Sequence, residues 1–162
     1  MIPLRTLLFC VLGILPSVAA SADEGLLPIG EHRSRGGDCE VRILTSAEGG
    51  GRDLSIVRPK SALVAQDVTG AIWRDSMTLV YSVSPIYGRP GIFELDCQSG
   101  HHRTVVPPVT KNKGYPDGAD YFELVSVDPK MQQACFYYSP DVDRADFSSL
   151  RTPKHIRCVQ LQ

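Results

Sequence analysis

Apolar residues in this chain come in short bursts rather than in helical stripes. No window holds an apolar period of about 3.6 over ten residues, whereas runs rich in Val, Ile, Tyr and Phe recur between clusters of Gly, Pro, Asp and Ser. Such runs are strand signatures, because side chains alternate across a pleated sheet and the intervening residues supply the backbone angles of tight reversals. The strands so predicted are Cys39–Thr45, Asp53–Val57, Ser61–Gln66, Gly70–Trp73, Thr78–Ser82, Ile92–Cys97, Arg103–Val106, Tyr121–Val127, Gln133–Tyr138 and His155–Leu161. The fold class expected is all-β, built of open antiparallel sheets. Asp23 to Gly37 is polar and Gly-containing, and reads as an extended lead-in.

The first 22 residues break this pattern. Arg5 precedes the apolar run Leu7–Leu15, Pro16 interrupts it, and the small residues Ser17, Ala19, Ala20 and Ala22 follow. This is the layout of a secretory signal, with cleavage expected after Ala22 because acidic Asp23-Glu24 comes next. The apolar run is shorter than the roughly 20 residues a membrane span needs, and no later stretch approaches that length. Residues 23–162 are therefore expected to form a single exported β domain with no membrane span. Cys10 would leave with the signal, while Cys39, Cys97, Cys135 and Cys158 stay. An even number of cysteines in an oxidising compartment implies two disulfides, and four cysteines allow three pairings. Cys135 is expected to pair with Cys158, since the two fall on strands placed next to each other, which leaves Cys39 with Cys97. No Cys-x-x-Cys or neighbouring histidine cluster favours a metal, and no cofactor is expected.

Charge and motifs narrow the function classes. The full chain carries 17 basic and 18 acidic residues. Loss of Arg5 leaves a weakly acidic protein without a basic block, which disfavours nucleic acid as a partner. There is no Gly-x-Ser-x-Gly, His-Glu-x-x-His or phosphate-binding glycine loop, so an enzyme is not expected. His101 and His102 are adjacent and point to opposite faces if they lie on a strand, so they cannot converge on one ligand; a solvated turn is the plainer reading. Glu48–Asp53, with three glycines and Arg52, offers an anion cradle in principle, but no helix follows to aim amides at it. Trp73, Tyr81 and Phe93 read as core aromatics rather than as a ligand platform.

An internal repeat is the most informative feature. Thr78-Leu-Val-Tyr-Ser-Val-Ser-Pro85 matches Gln133-Ala-Cys-Phe-Tyr-Tyr-Ser-Pro140 at an offset of 55, each a strand entering a Ser-Pro turn. A cysteine-ended strand follows each copy, at Ile92–Cys97 and His155–Cys158. Gly37–Val41 reads as the same cysteine-bearing strand of a truncated earlier unit. Periods of this size indicate stacked β-units. Ala71–Ser82, Gly88–Asp96 and Ser99–Val105 together resemble one blade of a TolB-type β-propeller. Trp73, Asp75, the Gly88–Gly91 hairpin, Asp96, Gly100 and Arg103 fill that blade's characteristic places, and in the second unit Asp128 stands for the turn aspartate. The resemblance implies a fragment of a propeller, because closed propellers use about four blades or more and this chain holds two and a fraction. The fold expected is thus an open, disulfide-clipped arrangement of blade-like sheets. Its unpaired edges favour partner binding or a homodimer.

The candidate partner-binding residues lie in two connections. One, Pro107–Asp120, is longer than most connections in compact domains. Its prolines, Pro107 and Pro108 among them, stiffen the backbone, while Val109, Thr110, Lys111, Asn112, Lys113, Tyr115 and Asp117 offer donors, a carboxylate and an aromatic anchor. The other is the Ser84–Gly91 tip, with Tyr87 and Arg89. In size, export and architecture the chain resembles the periplasmic immunity proteins that protect bacteria against type VI secretion effectors, especially peptidoglycan amidases. That resemblance implies a cell-wall hydrolase as partner and Pro107–Asp117 as the plug of its cleft. A lysozyme inhibitor and a non-catalytic envelope assembly module are the competing expectations.

Overall fold

The computed structural model describes residues 25–47, 51–84, 89–108, 119–142 and 155–162. Eleven strands are present among them and no helix: β1 Gly30–Arg33, β2 Glu40–Thr45, β3 Arg52–Arg58, β4 Ala62–Ala65, β5 Val68–Trp73, β6 Thr78–Val83, β7 Gly91–Asp96, β8 His102–Val106, β9 Ala119–Asp128, β10 Gln133–Val142 and β11 Ile156–Gln160. They form three open antiparallel sheets, of order β1-β2-β3-β4 (sheet A), β5-β6-β7-β8 (sheet B) and β11-β10-β9 (sheet C). The all-β class holds, and every predicted strand is found at close to its expected bounds. The lead-in contributes an additional strand, β1, which pairs with β2 through Gly30↔Ile43 to Arg33↔Glu40.

Sheet B is the middle layer. Side chains alternate along a strand, and on β6 Leu79, Tyr81 and Val83 face one core with Val41, Ile43, Leu54 and Ile56 of sheet A. Val80 faces the other core, with Ile72, Ile92 and the sheet C residues Phe122, Leu124, Phe136 and Tyr138. Burial on both faces explains the nearly unbroken apolar run of β6, which a half-exposed strand would not tolerate.

Two serines on that second face do unusual work. The Ser84 hydroxyl accepts from the Phe122 amide at 2.8 Å and donates to the Phe122 carbonyl at 3.0 Å, while the Ser82 hydroxyl accepts from the Leu124 amide at 2.9 Å. Thr69 adds a bond to the Phe122 carbonyl at 2.6 Å. β9 is an edge strand of sheet C, and these hydroxyls satisfy outward main-chain groups that would otherwise be buried without partners. Ser84→Ala is expected to destabilise the fold by about 1–3 kcal/mol, the cost of stranding the buried Phe122 amide, since Thr69 still donates to the Phe122 carbonyl. Urea unfolding tests this, and an unchanged midpoint would refute the role.

Both disulfides pair as expected. Cys135 and Cys158 are directly opposite in the β10–β11 register, with Cα atoms 4.1 Å apart. Cys39 and Cys97, with Cα atoms 5.9 Å apart, clip sheet A to sheet B. The truncated first unit is corrected: Cys39 stands just before β2 in a complete four-stranded sheet, whereas Cys97 directly follows β7. The Ser-Pro turn of the second unit is corrected too, since β10 runs through Ser139-Pro140 to Val142. Proline fits there because the β10–β9 register shifts between Ser139 and Val142 and the β11 pairing has ended at Tyr137, so no ladder bond needs its missing N–H. The turn aspartates do correspond. Asp75 Oδ1 accepts from the amides of Met77 and Thr78, and Asp128 Oδ1 accepts from those of Lys130 and Met131.

Candidate functional site

The register of the strands gives the molecule two unlike ends. At one end lie the Cys39–Cys97 clip, the Asp75 and Asp128 turns, and an ionic cluster around Glu94. Glu94, 5% exposed, holds the guanidinium groups of Arg74 and Arg103, the latter also through Nε at 2.9 Å. Arg74 in turn binds the Gln132 side chain in the β9–β10 turn and the Gln162 main-chain oxygen at 3.1 Å. Arg74, held by Glu94, thus ties sheet B to the end of sheet C. Arg103 was placed from the sequence as a blade residue; its partner Glu94 gave no signal there.

The other end carries the long connections. Val83 pairs with Gly91, and Ile92 with Val106, so the 84–90 tip and the 107–118 connection leave sheet B side by side. Ser84 binds Phe122, and Ala119 pairs with Val142, which brings the start of β9 and the 143–154 connection to the same end. Of the sequence-predicted contact residues, Arg89, Pro107 and Pro108 are described and fall at this end, with Arg89 exposed. Tyr87, Val109, Thr110, Lys111, Asn112, Lys113, Tyr115 and Asp117 lie outside the described residues, as does Glu48–Gly50 of the suggested anion cradle. Gly51 of that hairpin sits so close to Asp67 that a Cβ on it would lie 2.2 Å from the carboxylate oxygen.

Between the two sheets at this end opens a cleft of about 310 Å³. Val64, Ala65, Gln66 and Asp67 form one wall, Tyr81, Val83 and Phe93 the floor, and Arg89 the rim. Tyr81 and Phe93 are stacked, with ring centroids 5.5 Å apart. They belong to the core shared with sheet A, as expected, yet they also floor the cleft. The cause is that sheet A covers sheet B unequally: Tyr81 on β6 is 3% exposed, Phe93 on β7 is half-buried, and His102 and Thr104 on β8 are exposed.

His102 corrects the solvated-turn reading. It lies on β8, and its Nδ1 is 2.7 Å from the Tyr81 hydroxyl. His101 precedes the strand, with its amide bound to Ser99. Burial raises the Tyr81 pKa well above the ordinary phenol range. It lowers that of His102, with the neighbouring His101 charge adding to the effect. The neutral imidazole is the form suited to accept from a tyrosine hydroxyl. The unfolded chain therefore binds more protons between the lowered folded value and the ordinary 6.5, so stability rises with pH through that window and is lost as pH falls below 6.5. Between about pH 7.5 and about pH 5, the thermal midpoint of a His102→Gln variant is expected to fall less than the parent's. An equal fall in both would remove His102 as the cause.

No group of three or more histidine, cysteine, aspartate or glutamate side chains among the described residues is placed to hold a metal ion. No helix among them is long and apolar enough to cross a membrane. Comparison with family models, with curated proteins and with solved structures returns no match. The chain is thus defined by its own architecture: a disulfide-clipped all-β protein of three open sheets, stapled at one end and carrying its long connections at the other.

Proposed function

We propose that this is an exported, non-catalytic binding protein that inhibits a partner enzyme through its connection-bearing end. The most specific form of the proposal is a periplasmic immunity protein that neutralises a type VI secretion peptidoglycan amidase. Residues 1–22 serve as its export signal, and two disulfides are what an oxidising compartment favours.

One observation supports the reading above the others, the polarity of the scaffold. The clip, the Glu94 cluster and the short aspartate turns close one end, while the 84–90, 107–118 and 143–154 connections leave from the opposite end. Binding loops held on a rigid β-scaffold meet a partner with little loss of entropy in the framework. In the proposal the segment Pro107–Asp117 enters the enzyme's cleft, with Lys111 and Tyr115 as anchors, and Tyr87 and Arg89 contact its rim. The resemblance of Ala71–Val105 to a TolB-type blade describes the scaffold in this reading and assigns it no activity.

The test is capture of partners from periplasmic and secreted fractions by the mature protein, bridges intact, beside a Thr110→Ala, Lys111→Ala, Tyr115→Ala variant. The parent is expected to retain a peptidoglycan amidase and the variant to lose it. Retention of lysozyme by the parent would shift the assignment to that inhibitor class. Capture of envelope structural proteins by both forms equally would dispose of the plug and leave an assembly module.

A further inference from the structure

The three open sheets have six outer strands, and five of them are protected in one of the ways proteins use against stray pairing. β1 carries Glu31, His32 and Arg33 in four residues. β5 is approached by the lead-in, whose Leu27 amide donates to the Ala71 carbonyl at 2.8 Å. β8 bears His102 and Arg103 and runs into Pro107-Pro108. β9 is capped by the Ser82 and Ser84 hydroxyls. β11 carries Arg157 and the Cys158 bridge.

β4 is the exception. Its sequence is Ala62-Leu63-Val64-Ala65, with no charge and no proline, and Leu63 is 61% exposed. Among the described residues it pairs only with β3, through Ala62, Leu63 and Ala65. Val64 and Ala65 line the cleft whose floor is the stacked Tyr81–Phe93 pair. β4 is the last strand of sheet A, and on the face of sheet B that bears Tyr81, Phe93 is half-buried and Thr104 and His102 are exposed. Arg89 stands at the rim, and no carboxylate among the described residues forms an ion pair with it.

We propose that β4 and this cleft receive a single extended segment of a protein partner as a fifth strand of sheet A. Main-chain pairing along β4 would hold the segment. Alternate side chains would point into the cleft, where an aromatic or branched aliphatic residue covers Tyr81 and Phe93. A carboxylate on the segment would pair with Arg89, and a hydroxyl or amide donor would face Asp67 in the wall, so the occupant alternates apolar and neutral polar residues and carries one acidic group. A cleft of 310 Å³ accommodates a few side chains, the scale of one strand rather than of a second sheet. This inference shares Arg89 with the inhibitor reading but no residue of 107–118, so the two can fail separately.

The probe is an acetylated, amidated peptide of about seven residues, the length of a short strand, alternating valine and threonine with a central tyrosine and one terminal aspartate. It is used with its reversed sequence so that both strand directions are sampled. Controls are the same peptides N-methylated at alternate amides, or with lysine in place of aspartate. Amide shifts and hydrogen exchange of the full disulfide-bonded protein are read by NMR. Saturable shifts over residues 62–67 and at Phe93 are expected, with slowed exchange in β4. N-methylation should abolish them, and Arg89→Glu or the lysine peptide should weaken binding by about tenfold. The Lys111→Ala, Tyr115→Ala variant should bind the probe unchanged, which separates failure of this site from failure of the plug loop. No saturable shift up to about 1 mM, shifts that survive N-methylation, or shifts away from β4 would each overturn the proposal. So would concentration-dependent dimerisation that protects β4 without peptide, since the edge would then belong to a second copy.

Discussion

Replacing Cys39 and Cys97 together by alanine is expected to cost about 4 kcal/mol of stability, against about 3.5 for the same treatment of Cys135 and Cys158. The difference follows from the separations along the chain, 58 residues for the first pair and 23 for the second. A cross-link restrains the unfolded chain more when it closes a longer loop. The two bonds also differ in what they join. Cys135 and Cys158 link neighbours already paired in one sheet, whereas Cys39 and Cys97 join sheets A and B across a core that includes Val41, Leu54, Leu79 and Leu95. Loss of the first bond should therefore also loosen the cleft that lies between those sheets. Urea unfolding of the two double variants, with hydrogen exchange in β2 and β3, measures both effects. An unchanged midpoint for the Cys39, Cys97 variant would show that the core alone carries the contact between the sheets.

Glu94→Ala is expected to cost about 3–5 kcal/mol, the range for breaking a buried ion pair. The substitution leaves two guanidinium groups facing each other with their shared carboxylate gone. Arg74 is the more costly of the two, since its side chain is 14% exposed and Arg103, at 38%, can turn toward water. Glu94→Gln retains the shape and an acceptor but not the charge, and should recover only part of the loss. Thermal unfolding of both variants distinguishes a packing role from an electrostatic one. Equal stability of Glu94→Gln and the parent would mean that shape, not charge, holds the cluster.

Much of the strand layout was legible because it is written in local chemistry. The β-branched and aromatic runs and the aspartate turns at Asp75 and Asp128 act over a few residues. The sequence leaves three cysteine pairings open, and the one favoured by placing the strands of Cys135 and Cys158 side by side is the one found. β1 escaped because Gly30–Arg33 is polar and glycine-started, with no apolar alternation to betray a strand. It exists because β2 offers an edge, and Arg42 secures it through Glu31 at 2.8 Å. Pro140 misled in the opposite sense, since proline marks a turn unless a bulge and a free flank remove the need for its N–H.

The sequence by itself determined the class of the protein, the positions of nearly all its strands and the number of its bridges, because propensity, turn chemistry and cysteine count are properties of short segments. Only the tertiary structure decided that sheet B lies between the other two, that Ser82 and Ser84 face a neighbouring strand's main chain, and that Glu94 gathers Arg74 and Arg103. It also decided that β4 lines a cleft with Tyr81, Phe93 and Arg89. These are meetings of residues far apart in the chain, and which faces meet depends on how whole sheets stack, a choice that no local pattern of residues encodes.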